Sequence, residues 1–249
     1  MANWNDPQRT RPGFGNEAFT GASVPRTREV FDAGLRSYML SIYNYMTSGV
    51  LLTGVVALVT AYTGLAITFA SGPLMWLVAL SPLAIVFAMS FGANRFSTTT
   101  LQAMFWGFAV LMGLSLSTIF LVYTGASIAA TFFATAGAFA GLSLFGYTTK
   151  KDLSAFGTFL IMGVVGLIIA SLVNMFLRST GLDLAISFLG VLIFAGLTAY
   201  DTQRLKASYA QLRGTEFAGK MVVLGALSLY LDFINMFLFL LRFMGNNRS

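Results

Sequence analysis

The 249-residue sequence contains no cysteine and no histidine. Without cysteine there is no disulfide, no thiolate metal site and no thiol nucleophile. Without histidine the usual zinc ligand and the commonest general base are missing, and haem held through histidine is excluded. Proton chemistry must therefore run on carboxylates, tyrosine, lysine or water. Charge is scarce too: 10% of residues are charged and 57% hydrophobic, where a soluble domain carries roughly a quarter charged. Mean hydropathy is +0.77. This is the composition of an integral membrane protein. The net charge of +6 does not point to nucleic acid, because most basic residues fall in tails and loops between apolar runs, a topological signal.

Residues 1–26 are polar, hold Pro7, Pro12 and Pro25, and carry no apolar core of signal-peptide type. They are expected to be a disordered cytoplasmic tail that stays on the protein. From Thr27 on, Val30, Phe31, Leu35, Tyr38 and Met39 recur at helical spacing opposite Arg28, Glu29, Asp32 and Arg36. That pattern fits either an amphipathic lead-in at the membrane surface or a plain extension of the first span. Seven apolar runs follow, at roughly 41–70, 74–92, 101–123, 126–147, 156–178, 182–200 and 220–244. They predict an all-α membrane protein of seven transmembrane helices, filling residues 27–246. Pro73 is expected in the first turn of span two and Pro82 is expected to kink it. Connections are short except for 201–219. Span four carries Gly137 and Gly141, and span five Gly163 and Gly166; close helix packing is the expected use, rather than a hinge or pore constriction.

Two aspartates interrupt the apolar pattern. Leu227 to Phe243 reads LSLYLDFINMFLFLLRF, with Asp232 near its middle, and Asp201 ends span six in Ala-Tyr-Asp-Thr-Gln. A carboxylate at the centre of a bilayer costs at least ~2.5–3.5 kcal/mol, so it must face protein or water. Ser228, Asp232, Asn235, Phe239 and Arg242 share one face of span seven, which must look into the bundle, and Thr198 lies one turn before Asp201. Two buried carboxylates that approach each other cannot both ionise cheaply; their protons leave in two steps that belong to the pair. Such a pair is pH-sensitive and, when ionised, an oxygen-rich cation site. One tension stands: Asp201 is three residues from Arg204 and expected near the membrane surface, whereas Asp232 lies up to about 18 Å along its helix from Lys220. Alternatively, Asp201 is an interfacial residue pairing with Arg204 or Arg95, and Asp232 a protonated packing acid.

At these motifs the chain resembles the Bax inhibitor-1 (transmembrane Bax inhibitor motif) family, over about 30–246. The Lys-Lys-Asp-Leu of the fourth loop and the seven-span plan agree. The resemblance implies a bacterial member in the inner membrane, with a central seventh helix surrounded by the other six. It implies a pH-dependent calcium leak, gated by Asp201 and Asp232 as a pH-sensing dyad. Thr198, Ser228 and Asn235 would be pore-facing polar support, and Arg95 a candidate latch on Asp201 or an ordinary topology-setting arginine. Calcium would be a permeant ion held transiently by Asp201 and Asp232, not a cofactor, and no cofactor is expected. The expected partners are the lipid bilayer, calcium and protons. The alternative is a membrane stress-response protein that modulates a membrane-bound quality-control protease without transporting ions.

Enzymatic readings do not fit. An intramembrane aspartyl protease needs Gly-x-Gly-Asp on span seven and a later Pro-Ala-Leu, but Leu-Tyr-Leu precedes Asp232 and no proline follows Pro82. A retinal protein needs a lysine in the middle of span seven, and Lys220 stands at its edge. Orientation follows from the basic residues. With the N-terminus cytoplasmic, twelve of the fifteen lie inside and only Arg178, Arg242 and Arg248 lie outside. Reporter fusions at the two termini should accordingly give opposite compartments; the same compartment for both would remove the seven-span topology.

Overall fold

The computed structural model describes residues 24–70, 72 and 74–246. The chain divides into two compact units, Met1–Gly34 and Leu35–Ser249. Of the first, only the opening residues of a helix are described, and Val30 there is exposed. Nearly all of the expected tail, and Pro73, lie outside the described residues.

The regular elements of the described residues are helices: α1 (Val24–Tyr62), α2 (Leu65–Ala70), α3 (Leu74–Gly92), α4 (Thr98–Leu116), α5 (Ile119–Val122), α6 (Gly125–Thr148), α7 (Ser154–Leu177), α8 (Thr180–Leu212) and α9 (Phe217–Met244). Seven stretches are long and apolar enough to cross a membrane, with α4 and α5 making one of them. Serine and threonine start several helices by satisfying amides that the helix leaves without partners. Ser97 accepts from the Thr100 amide, Thr124 from Ser127 and Ser179 from Leu182.

Two expectations need correction, and one left open is decided. The first span does not run unbroken to residue 70, because the chain turns at Gly64, whose φ of 77° suits glycine. The connection expected over 201–219 is mostly helix: α8 continues to Leu212 and only residues 213–216 separate it from α9. Hydropathy missed this extension because it is amphipathic. Thr202 and Leu205 are buried while Arg204 is exposed, and Tyr209 packs its ring 5.3 Å from that of Tyr38. The stretch before residue 41 is a plain extension of the first span, with Leu35, Tyr38 and Met39 buried in α1. Pro82 is accommodated inside α3, and its side chain is buried.

Helix α9 is the centre of the bundle. Within its most apolar window 61% of residues are buried, against 11–39% in the other spans. It packs on α8, α6 and α4. Tyr230 fixes it to α1, its hydroxyl 2.6 Å from Thr53 Oγ1, and the Thr53 hydroxyl lies 2.8 Å from the Ala109 carbonyl of α4, to which it donates. By contrast α3 and α7 turn residues such as Phe91, Phe159 and Phe176 outward, a surface that suits lipid.

Of the expected glycines, Gly163 alone allows close approach: a Cβ there would lie 2.9 Å from Ile193 Cδ1 of α8. Gly137, Gly141 and Gly166 face open space. A Cβ on Gly146 would fall on the Ala199 carbonyl oxygen, one on Gly157 on the Tyr200 ring, and one on Gly190 on the Phe239 ring. Gly146→Ala should therefore destabilise the fold by ~1–3 kcal/mol, the usual cost of overpacking. Gly141→Ala should stay within about 0.5 kcal/mol of the parent, as exposed substitutions do. Equal thermal midpoints for the two variants in detergent would contradict the assignment of α6–α8 contact to Gly146.

Candidate functional site

Helices α8 and α9 run antiparallel from the short turn at 213–216, and their register can be counted. Asp201 lies eleven residues before Leu212, and Ser228 eleven after Phe217. Both are roughly 16 Å along their helices from the turn. The Ser228 hydroxyl accordingly donates to the Asp201 carboxylate. Gly190 and Phe239 are likewise twenty-two residues from the two sides of the turn, and the Phe239 ring lies over that glycine and stacks on Phe194 with centroids 5.8 Å apart. The depth tension in the sequence thus disappears. Asp201 sits well inside a long helix, not at its end, and Asp232 follows Ser228 by one turn, about 6 Å.

Asp201 and Asp232 are both buried, at 7% and 5% exposure. Asp232 Oδ2 has no hydrogen-bond partner among the described residues, and the charges of Asp201 and Arg204 both act on it. Thr198, fully buried on α8, comes level with Asp232 by residue count but donates to the Phe194 carbonyl of its own helix at 2.8 Å. Asn235, one turn beyond Asp232, donates to Leu231 O at 2.8 Å and borders a cavity of about 440 Å³ between α7, α8 and α9. Neither aspartate lines that cavity. Of the three residues expected to support the pair, only Ser228 reaches an aspartate.

The candidate latch of Arg95 on Asp201 is not made among the described residues. Asp201 Oδ1 lies 3.8 Å from Arg204 Nη1, one turn along the same helix, while Arg95 stands exposed in the turn after α3. No group of three or more acids or other ligand residues gathers among the described residues.

Two features escaped sequence reasoning. Gln203, of the Ala-Tyr-Asp-Thr-Gln motif, clamps the turn after α6: its Oε1 accepts from Leu153 N at 2.9 Å and its Nε2 donates to Lys151 O at 2.8 Å. In that turn, hydrogen bonds from the Ser154 hydroxyl and amide hold the exposed Asp152 carboxyl below the usual carboxylate value. At the opposite end Arg242 Nη1 lies 3.7 Å from Asp183 Oδ1, so the polar face of α9 meets α8 along most of its length. The motif spacing could have suggested the first, and an acid in the first turn of α8 facing an arginine in the last turn of α9 the second.

A family model described as "Inhibitor of apoptosis-promoting Bax1" matches residues 35–249. The chain belongs to the Bax inhibitor-1 family. An uncharacterized protein of Caulobacter vibrioides is 49% identical over 91% of this chain and 96% of its own length. The inner membrane protein YbhL of Escherichia coli K12 is 47% identical, covering 87% and 94% respectively. A further relative, from Rickettsia prowazekii, is 46% identical over 89% of this chain and 94% of its own. The span-six and span-seven motifs lie inside the matched region of the family model, as do both aspartates and Ser228.

Truncating Ser228 leaves the Asp201 carboxylate without its donor from α9. Ser228→Ala should cost about 1–3 kcal/mol, the penalty for orphaning a buried polar group. In Asp201→Asn, where the acceptor changes, the same substitution should cost measurably less. Additive losses in thermal unfolding of the four proteins would mean that the hydroxyl does not couple the two helices.

Proposed function

We propose that this protein is a pH-sensitive cation leak channel, with the Asp201–Asp232 pair as its gate and calcium as its permeant ion. The observation that carries the reading is the orphaned Oδ2 of Asp232, buried one turn from the serine that binds Asp201. An acid in that position is comfortable only while the pair retains a proton. Loss of the last proton leaves two like charges in low dielectric. They must separate, recruit a cation or draw in a counter-charge, and each of these weakens the α8–α9 contact.

Calcium here is cargo, not a cofactor. It takes six to eight oxygen ligands when held firmly, and two carboxylates with one hydroxyl offer too few for a resident site. They suit a passing ion. Asn235 would be the next polar group beyond Asp232, although the cavity it borders is otherwise apolar save for Ser171. A bacterial inner-membrane location, with the N-terminus cytoplasmic and the C-terminus outside, is part of the proposal. Support comes from the relative YbhL, an inner membrane protein, and from three lysines at one end of the bundle: Lys151 in the turn after α6, Lys206 on the Tyr147 carbonyl at the end of α6, and Lys220 on the Ala93 carbonyl after α3.

The test is calcium-dye flux in proteoliposomes across a pH series. Flux through the parent should be low at acid pH and rise as the pair ionises. Asp232→Asn should lose most flux at every pH, because the deep cation ligand is gone. Asp201→Asn should chiefly flatten the pH profile, since its partner then titrates alone. If both replacements leave rate and profile unchanged, the pair is structural, and modulation of a membrane-bound protease becomes the reading to pursue.

A further inference from the structure

Away from the aspartates, α1 and α6 part along the flank of the bundle and leave a cleft floored by α9. Two cavities of about 650 and 700 Å³ lie in it, meeting end to end at Val50, Phe132 and Phe233, which border both. Among the described residues, no acidic side chain borders either cavity. The larger runs along α1 from Arg36 to Val50, fourteen residues or roughly 21 Å. That is somewhat more than one leaflet of a hydrocarbon core about 30 Å thick.

Its lining is graded. Met46, Phe139 and Ala140 make an apolar interior, whereas Arg36, Tyr43 and Tyr147 stand at the mouth. Tyrosine suits the boundary between hydrocarbon and headgroups. The one serine within, Ser143, is 3.3 Å from the Thr202 hydroxyl and so has a partner. Arg36 makes no ion pair or hydrogen bond to another side chain among the described residues. The charge near the mouth is net positive: Lys206 Nζ lies 4.7 Å from the Tyr147 ring centroid and donates to its carbonyl, and Lys150 and Lys151 follow in the next turn, against Asp152 after them and Asp32 four residues before Arg36.

The chemistry of the lining selects the occupant. The groove opens on the flank of the bundle, where acyl chains surround a membrane-spanning protein, and its one cation stands at one end of an apolar wall. We propose that the groove is a binding site for an anionic phospholipid, with one acyl chain between α1 and α6 and the phosphate on the Arg36 guanidinium. Arginine matches phosphate as a fork of paired donors, and the basic surroundings favour an anionic over a zwitterionic headgroup.

The experiment is native mass spectrometry of the full chain in detergent with palmitoyl-oleoyl phosphatidylglycerol or the matching phosphatidylcholine. The parent should retain one phosphatidylglycerol, preferred about fivefold over phosphatidylcholine, the effect of one basic residue at an anionic surface. Arg36→Gln should abolish that preference while a lipid is still retained. Ala140→Trp, at an exposed position of the cleft wall, should remove retention of both lipids. Should Ala140→Trp fold poorly, Ala140→Cys offers the same block after folding. Its thiol is unique in a chain without cysteine and can be capped with a hexadecyl thiosulfonate. Undiminished retention in the blocked protein overturns the groove as the site. Equal preference for the two lipids in the parent, or an unchanged preference in Arg36→Gln, overturns the recognition of the anionic headgroup.

Discussion

A carboxylate placed between apolar helices must find its hydrogen bonds among its neighbours, because hydrocarbon offers none. Much of this structure can be derived from that constraint applied at Asp201 and Asp232. The serine that serves Asp201 comes from the opposite helix, so α8 and α9 must run antiparallel in one register. Glycine at 190 lets Phe239 lie flat between them, and glycine at 146 lets α6 press on the α8 backbone two residues before Asp201. The Tyr230 hydroxyl, two residues before Asp232, engages Thr53 of α1. Each contact narrows the space in which the two acids can move.

The fold was largely legible because it rests on hydropathy, which needs only a count of apolar residues. Seven spans follow from it, while the centrality of the polar-faced last one was what the family resemblance implied. What hydropathy missed was the helix beyond Tyr200. Asp201, Gln203, Arg204 and Lys206 lower any windowed average, yet the segment is a good helix former whose Thr202 and Leu205 are buried. Reading it as a loop put Asp201 at the wrong depth and made its meeting with span seven look strained. Three of the four glycines failed for a different reason. Spacing tells which residues share a face, and it cannot tell whether a neighbour lies against that face; Gly137 and Gly141 share one that is open.

At the site, residue types were legible and partners were not. Two intramembrane aspartates and a serine one turn from one of them are visible in the sequence. Hydroxyl groups, however, have a local alternative in the carbonyl four residues back, and Thr198 takes it. Asn235 likewise turns to Leu231. Ser228 instead turns outward to Asp201. Arg95 had to compete with Arg204, which is tethered one turn from Asp201 on the same helix and needs no tertiary contact to reach it. A local partner of that kind prevails because little chain order is spent in bringing it near.

Contacts of α9 with the rest of the bundle are spread along its length. Near its start, Lys220 donates to the Ala93 carbonyl at 3.3 Å; near its end, Arg242 faces Asp183, both sides half-exposed. Between them stand Ser228, Asp201 and Asp232. The end contacts each set a cation against a carbonyl or a carboxylate, so losing protons from the acids leaves them attractive. Only in the middle do two carboxylates act on each other, and only there does deprotonation turn a contact from attraction to repulsion. On the proposed reading, then, a rise in pH strains the centre of the α8–α9 pair while the short turn at 213–216 holds one end and Arg242 with Asp183 the other. The accommodating motion is a local bowing or rotation, not a separation of whole helices. Gly146 limits its direction: with α6 against the Ala199 carbonyl, α8 cannot retreat at that height unless α6 moves with it.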